Sequence, residues 1–182
     1  FQADSCQPLI EASARGAVRL EAIVHGHYPG CKLPGNVLPG LKTAGFWDAL
    51  EDQEWGLPWH RNEGIEICFL ESGLVTFAAD DSEFALHPND MTITRPWQHH
   101  RVGNPNIGPS KLHWVIIDVK IRRPNQEWRW PSWLVLSPDD LSELSHKLRH
   151  TEGVLWHASS DLRRCFQSIA HAVEESKKGC SV

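Results

Sequence analysis

The stretch with the most chemical potential is LPWHRNEGIEICFLESG (57–73), which sets a histidine, an asparagine and a glutamate inside an otherwise apolar and aromatic run. Glu66 stands between Ile65 and Ile67 and ahead of Cys68, Phe69 and Leu70. A carboxylate buried alone is very costly, so in such a strand Glu66 either faces solvent or has a partner inside the fold. Residues two apart on a strand share a face, which puts Glu66, Cys68 and Leu70 on one side and Ile65, Ile67 and Phe69 on the other. Both faces are otherwise apolar, so both are expected to be covered. A second polar group lies in RPWQHHRVGN (95–104), where His100 shares a face with Gln98 and Val102, and His99 and Arg101 take the opposite one. His60, Glu66 and His100, from separate strands, could converge as a two-histidine, one-carboxylate set. Such a set suits Zn(II) or, with open positions, Fe(II). A polar patch that hydrogen-bonds a ligand or a buried water, and a purely structural hydrogen-bonded cluster, are the alternatives these residues leave open.

Other residues join this list more weakly. Trp59 and Trp97 adjoin the two polar stretches and Trp114 lies on the last long strand, so each is a candidate pocket wall or an ordinary packing residue. Arg61, Arg95 and Arg101 flank the site and could meet an anionic ligand, with a solvated surface as the plain alternative. His25 and His27 have same-face spacing, but a strand-end pair beside a Pro/Gly loop is more often structural. Trp128, Trp130 and Trp133 cluster in NQEWRWPSW and read as packing between two parts of the chain. The sequence has no glycine-rich phosphate loop and no GxSxG, CxxC or HExxH motif.

The elements that must position these residues are short. From about residue 17 to 136, apolar segments of strand length recur with turn residues between them: 17–28, 41–49, 65–73, 74–80, 83–88, 91–96 and 112–121. This spacing indicates an antiparallel sandwich or barrel. ESG (71–73) and ADDS (79–82) read as hairpin turns, and HPND (87–90) offers Asn89 and Asp90, which tolerate the left-handed conformation. The pattern changes at 137. SPDD (137–140) is a capping-box-like helix start with proline at the first helical position. Leu141, Leu144 and Leu148 follow at helical spacing. A second helix is expected to open near Ser159 or Ser160, with Leu162, Cys165, Phe166, Ile169 and Val173 on one face. The expected organisation is a barrel over 1–136 and a helical segment over 137–182, the two helices packing on each other and on the barrel and offering a face for dimerisation.

At 182 residues the chain can bury one good core. Its formal charge of -5 argues against a nucleic-acid-binding module in this chain alone, since such modules usually carry a basic surface. The longest apolar runs, such as WVII (114–117), are far short of a membrane span, and nothing at the N-terminus reads as a signal peptide. Five cysteines without close pairs indicate neither a disulfide framework nor a zinc ribbon, so a cytoplasmic setting is expected. A start at Phe1 and an end at GCSV suggest a piece of a longer protein.

His60-x-Asn62-x3-Glu66-x6-Gly73 resembles the first cupin motif, in which two histidines, a glutamate and a glycine stand at that spacing. Pro96-x3-His100-x3-Asn104 resembles the second, one residue shorter between proline and histidine. The fuller pattern, LHPNDMTITRPWQHHRV followed by LHWVIIDV, is similar to the N-terminal sensor domains of AraC-type transcription regulators. The resemblance covers residues 17–121, and the two trailing helices match the helical segment after the barrel in that family. It implies a mainly β fold: an antiparallel double-stranded β-helix, or jelly-roll barrel, followed by a C-terminal α-helical pair. It implies a binding domain rather than an enzyme, with a small-molecule effector, such as a sugar, held by His60, Asn62, Glu66, His100, Trp59, Trp97 and Trp114. The partners implied are a second copy, met through the C-terminal helices, and DNA, met only through a helix-turn-helix part outside this chain. No cofactor is required, although His60, Glu66 and His100 keep three of the four cupin ligand positions for Zn, Fe, Mn or Ni. Asn62 departs from the pattern by replacing the second histidine, and Asn89 replaces the usual glycine before Asp90. The competing reading is a stand-alone metal-dependent cupin enzyme: an oxygenase, isomerase or hydrolase.

Overall fold

Strands that are apolar on both faces need cover on both, and the chain meets that demand with two facing sheets and a helix outside them. The computed structural model describes residues 6–103, 105–123 and 125–178. Asn104, the last residue of the second motif, lies outside the described residues. In chain order the elements are α1 (Gln7–Ala14), β1 (Arg19–Val24), β2 (Cys31–Lys32), β3 (Leu41–Ala49), β4 (Leu57–His60), β5 (Ile65–Gly73) and β6 (Val75–Ala79). Then follow β7 (Ser82–Leu86), β8 (Asp90–Thr94), β9 (His100–Val102), β10 (Ser110–Ile117), α2 (Pro138–His150), β11 (Leu155–His157) and α3 (Ser160–Lys178). One sheet has the order β11-β8-β5-β10-β3-β1-β2 and the other β4-β9-β6-β7. All pairings are antiparallel except the short β1–β2 contact.

The register decides which side chains face inward. Trp114 pairs with Cys68, which pairs with Thr92; one step along, Ile116, Glu66 and Thr94 form the next cross-strand row. Directly paired residues share a face, so Glu66, Cys68 and Leu70 point into the barrel with Trp47, Phe77, Leu86 and Leu112. Ile67 and Phe69 point outward, where Phe166 of α3 stacks on Phe69 with ring centroids 5.0 Å apart. Ala170 and Val173 of α3 are buried along with Phe166, so the helix supplies the outer cover that the double-faced β5 requires.

Several local expectations are met and others are corrected. ADDS turns the β6–β7 hairpin with Asp80 at φ 50, and Asn89 stands at φ 73 in the turn before β8. ESG is not a hairpin: β5 pairs with β8 and β10, whereas β6 pairs with β7 and β9, so Gly73 is the corner at which the chain changes sheets. Ser137 caps α2 with the full capping box, its hydroxyl accepting from the Asp140 amide at 3.1 Å. Yet α2 buries none of its residues, and Leu141, Leu144 and Leu148 are only half-buried. The helix lies against the tryptophan segment, where Trp130 Nε1 donates to Ser145 at 2.8 Å; the barrel cover comes from α3. The sequence reading also lacked α1, whose Leu9 and Ala12 join the interior core. Cys31 is disulfide-bonded, while Cys6, Cys68 and Cys165 are free. The spacing of the five cysteines gave no sign of a bridge at Cys31, because spacing is silent on pairs distant in sequence. No helix among the described residues is long and apolar enough to cross a membrane.

A polar cluster on the outer face makes stability pH-dependent. Partial burial pushes Glu71 upward, but Lys111 at 3.0 Å, the His113 N–H at 2.6 Å and Gln167 at 3.2 Å outweigh it and hold the carboxyl at about 2. Burial depresses His113 below its ordinary 6.5, against the pull of Glu71. Both groups bind fewer protons folded than unfolded, so stability rises with pH across each window. Urea midpoints should therefore fall as pH drops below 6.5, through His113, and again between 4.5 and about 2, through Glu71. Glu71→Gln should flatten the lower part of that curve. An unchanged acid limb in this variant would refute the assignment.

Candidate metal centre in the barrel

β4 ends on His60, β5 begins with Ile65 and Glu66, and β9 opens on His100. The pairing of His60 with His100 across β4 and β9 places their rings 4.2 Å apart, centroid to centroid. Their ligand nitrogens and a Glu66 oxygen all lie within 4.8 Å of one another, and all three residues are buried. His100 is completely so, at 0% exposure, and stacks on Phe77.

The proton positions follow from the neighbours. His60 Nδ1 is 2.7 Å from the Pro58 carbonyl and His100 Nδ1 is 2.9 Å from the Gln98 carbonyl. A carbonyl only accepts, so each Nδ1 carries the hydrogen and each Nε2 turns its remaining valence to the cluster. His100 Nε2 is 2.8 Å from Glu66 Oε2. A lone pair does not face a carboxylate at that distance without positive charge between them, so the geometry calls for a proton or a metal ion there. Asn62 presents its amide N–H to the same carboxylate at 3.1 Å, and its Oδ1 accepts from the Tyr28 hydroxyl at 3.2 Å. Where the cupin motif has a ligand histidine, this chain has a hydrogen-bond donor to Glu66. Burial pushes the Glu66 carboxyl up, but the hydrogen bond and charge of His100, the charge of His60 and the Asn62 amide together hold it below the usual range. Burial, reinforced by Glu66, pushes the Cys68 thiol well up, so Cys68 stays protonated and is no thiolate donor. Two imidazole Nε2 atoms and a carboxylate, buried and oriented through backbone carbonyls, fit a divalent cation.

Residues 47–116 match the family model described as a cupin domain. That segment is a cupin domain. No curated protein matches the chain in sequence. Among solved structures, a cupin superfamily protein from Desulfitobacterium hafniense DCB-2 is similar over 55% of this chain and 78% of its own, at 10% identity and a TM-score of 0.40. The Cnp3 cupin domain of Schizosaccharomyces pombe is similar over 56% of this chain and 65% of its own, at 12% identity and a TM-score of 0.40. Hydroxypropylphosphonic acid epoxidase from S. wedmorenis is similar over 43% of this chain and 44% of its own, at 20% identity and a TM-score of 0.37. The chain therefore spans less than two thirds of the length of the last two.

Within the cupin barrel, four of the seven candidate ligand residues come together: His60, Asn62, Glu66 and His100. Trp114 is buried and, with Glu66, lines an internal cavity of about 30 Å³; its indole N–H donates to Thr43 at 3.2 Å. Trp97 stands outside the barrel in a separate cleft, with its indole N–H on the Ile121 carbonyl at 2.9 Å. Trp59 is 40% exposed, meets the His99 ring at a tilt and lies under the Arg101 guanidinium, so it faces away from the centre. His25 Nε2 meets the Val37 carbonyl at 2.7 Å and His27 stacks on Tyr28; neither joins the cluster. Two residues of the site had no sequence signal. Tyr28 is 34 positions from the amide it holds. Thr94 sits beside Glu66 in the pairing of β5 and β8, its hydroxyl buried without a hydrogen-bond partner among the described residues. A buried hydroxyl with nothing to bond is costly, so water or a ligand belongs at this point.

Proposed function

We propose that this chain is the effector-sensing domain of an AraC-type transcription regulator, with a divalent cation held by His60, Glu66 and His100 at the base of its effector site. The observation that carries the reading is how the barrel is filled. Cys6 and Leu9 from the N-terminal segment line the residual cavity together with Trp47, Trp114 and Glu66. Its volume of about 30 Å³ admits water but nothing the size of a sugar. Displacing α1, which contributes Leu9 to that lining, would enlarge the cavity toward the polar cluster and so link occupancy to conformation. A ligand that prefers the α1-displaced arrangement shifts the population toward it, which is what a sensor requires. The sequence pattern 86–102 and 112–119, followed by two helices, supports the AraC-type assignment. α3, with Leu162 at 40% exposure, is the face suited to a second copy. DNA contact would belong to a part outside this chain. The bound cation would supply a Lewis-acidic point to which an oxygen or carboxylate of the effector binds, while Asn62 and Thr94 orient it by hydrogen bonds.

A metal-dependent cupin enzyme is the second reading, favoured by the assembled three-donor set with an unmatched hydroxyl beside it. One experiment separates the two. A thermal-shift screen of sugars and small acids should find a compound that raises the melting temperature, because a ligand selective for the folded state stabilises it. With that compound bound, limited proteolysis should cut within residues 6–16, and the compound should be recovered unchanged. Consumption of the compound by metal-loaded protein would point to the enzyme, and protection of α1 on binding would contradict the sensor.

A further inference from the structure

A second cleft lies outside the barrel, floored by the turn between β8 and β9. It has a volume of about 400 Å³ and is lined by Arg61, Arg95, Arg149, Trp97, Trp128 and Gln126, among others. We propose that this cleft binds a small organic phosphate, its oxyanion held by the arginines and its ring or flat body laid against Trp97 and Trp128.

Like charges gathered in one cleft repel, so three guanidinium groups there need a reason. The cleft contains one carboxylate, Asp80, and Gln98 Nε2 already donates to it at 2.7 Å. Among the described residues neither Arg95 nor Arg149 forms an ion pair. Arg95 instead uses its guanidinium on neutral acceptors, the Arg149 carbonyl at 3.3 Å and Gln98 Oε1 at 3.4 Å. Those bonds fix its direction and leave further N–H donors for an anion, because a guanidinium has five. Three arginines lining one cleft match a doubly charged phosphate better than a single carboxylate.

The aromatic wall is equally fixed. Trp97 has φ 66, a left-handed conformation that a bulky residue adopts only when its surroundings impose it. Here the imposing bonds are Trp97 N–H to the Asn62 carbonyl at 2.8 Å and the indole N–H to the Ile121 carbonyl. Those two bonds offset the strain and hold the indole in the wall of the cleft. A volume of this size suits a ring-bearing small molecule rather than a bare ion. The inference stands apart from the sensor reading, since it needs neither a metal nor displacement of α1.

Calorimetric titration of the full chain with phenyl phosphate, inorganic phosphate and phenol tests the proposal. Phenyl phosphate should bind saturably at one per chain and more tightly than inorganic phosphate, with no measurable binding of phenol. Arg149→Gln should weaken phenyl phosphate at least tenfold, and Arg149→Lys less. Because α2 buries none of its residues, these variants keep the fold, which circular dichroism checks. Lys120→Gln, a change outside the cleft, should bind as the parent does. Absence of saturable binding, equal affinity for inorganic phosphate, undiminished binding by Arg149→Gln, or equal weakening by Lys120→Gln would each overturn it.

Discussion

His100→Ala should lower stability by about 3–5 kcal/mol at neutral pH and abolish retention of a divalent metal. His100 has 0% exposure and its Nε2 stands 2.8 Å from Glu66 Oε2. Alanine removes the nearest positive partner and leaves a buried carboxylate with only the Asn62 amide and the charge of His60 to offset its burial. It also leaves a cavity against Phe77, whose ring stacks on the imidazole. The charge term can be separated from the cavity term. Adding Glu66→Gln to His100→Ala removes the unpaired charge, so the double variant should be more stable than the single one, the signature of coupled neighbours. Urea denaturation of both checks this. A single variant within about 1 kcal/mol of the parent would mean that the pair does not carry the charge balance of the barrel.

Gly73→Ala should be comparably damaging although no side chain is lost. Gly73 has φ 89, and a Cβ built there would lie 2.0 Å from the Pro109 carbonyl oxygen and 2.6 Å from Ser110 Cα. Both neighbours are backbone and cannot rotate away, and Ser110 is the pairing partner of Gly73 across β5 and β10. The strand end must open, or the sheet-changing corner must move, at a cost on the order of 3 kcal/mol once left-handed strain is added. Gly35→Ala is the matched control, because a Cβ there meets nothing within 4 Å and the backbone is not left-handed. It should be neutral or slightly stabilising by reducing the freedom of the unfolded chain. Equal effects at the two glycines would remove the steric explanation for the glycine of the first motif.

Much of this arrangement is written in local pattern. The alternation in IEICFL sends Glu66 inward and Phe69 outward, and covering both faces accounts for the burial of each. The spacing from His60 to Glu66, and the later His100, identified the three donors that the pairing of β4 with β9 then brought together. What stayed hidden depends on contacts distant in sequence. The N-terminal helix is eight residues with no acidic first turn and no basic last turn, so its only strong reason to form is the core that Leu9 and Ala12 enter. ESG has the turn chemistry of a hairpin, and only its surroundings reveal a change of sheet. The Asn62 amide looked like a failed ligand in the sequence. In the fold it is a donor to Glu66, positioned by Tyr28. Arg149 carried no site signal, because the placement of α2 is what brings it to the cleft with Arg95.

The central claim, that a sensor barrel is built on a cation held by His60, Glu66 and His100, is tested most directly by metal analysis. Protein purified without chelator, then stripped and dialysed separately against Zn²⁺, Fe²⁺, Mn²⁺ and Ni²⁺, should take up one equivalent of at least one of them. Glu66→Gln, which keeps the shape and removes the charge, should lose that equivalent. Protein that takes up none, or a Glu66→Gln variant that binds as the parent does, would contradict the account.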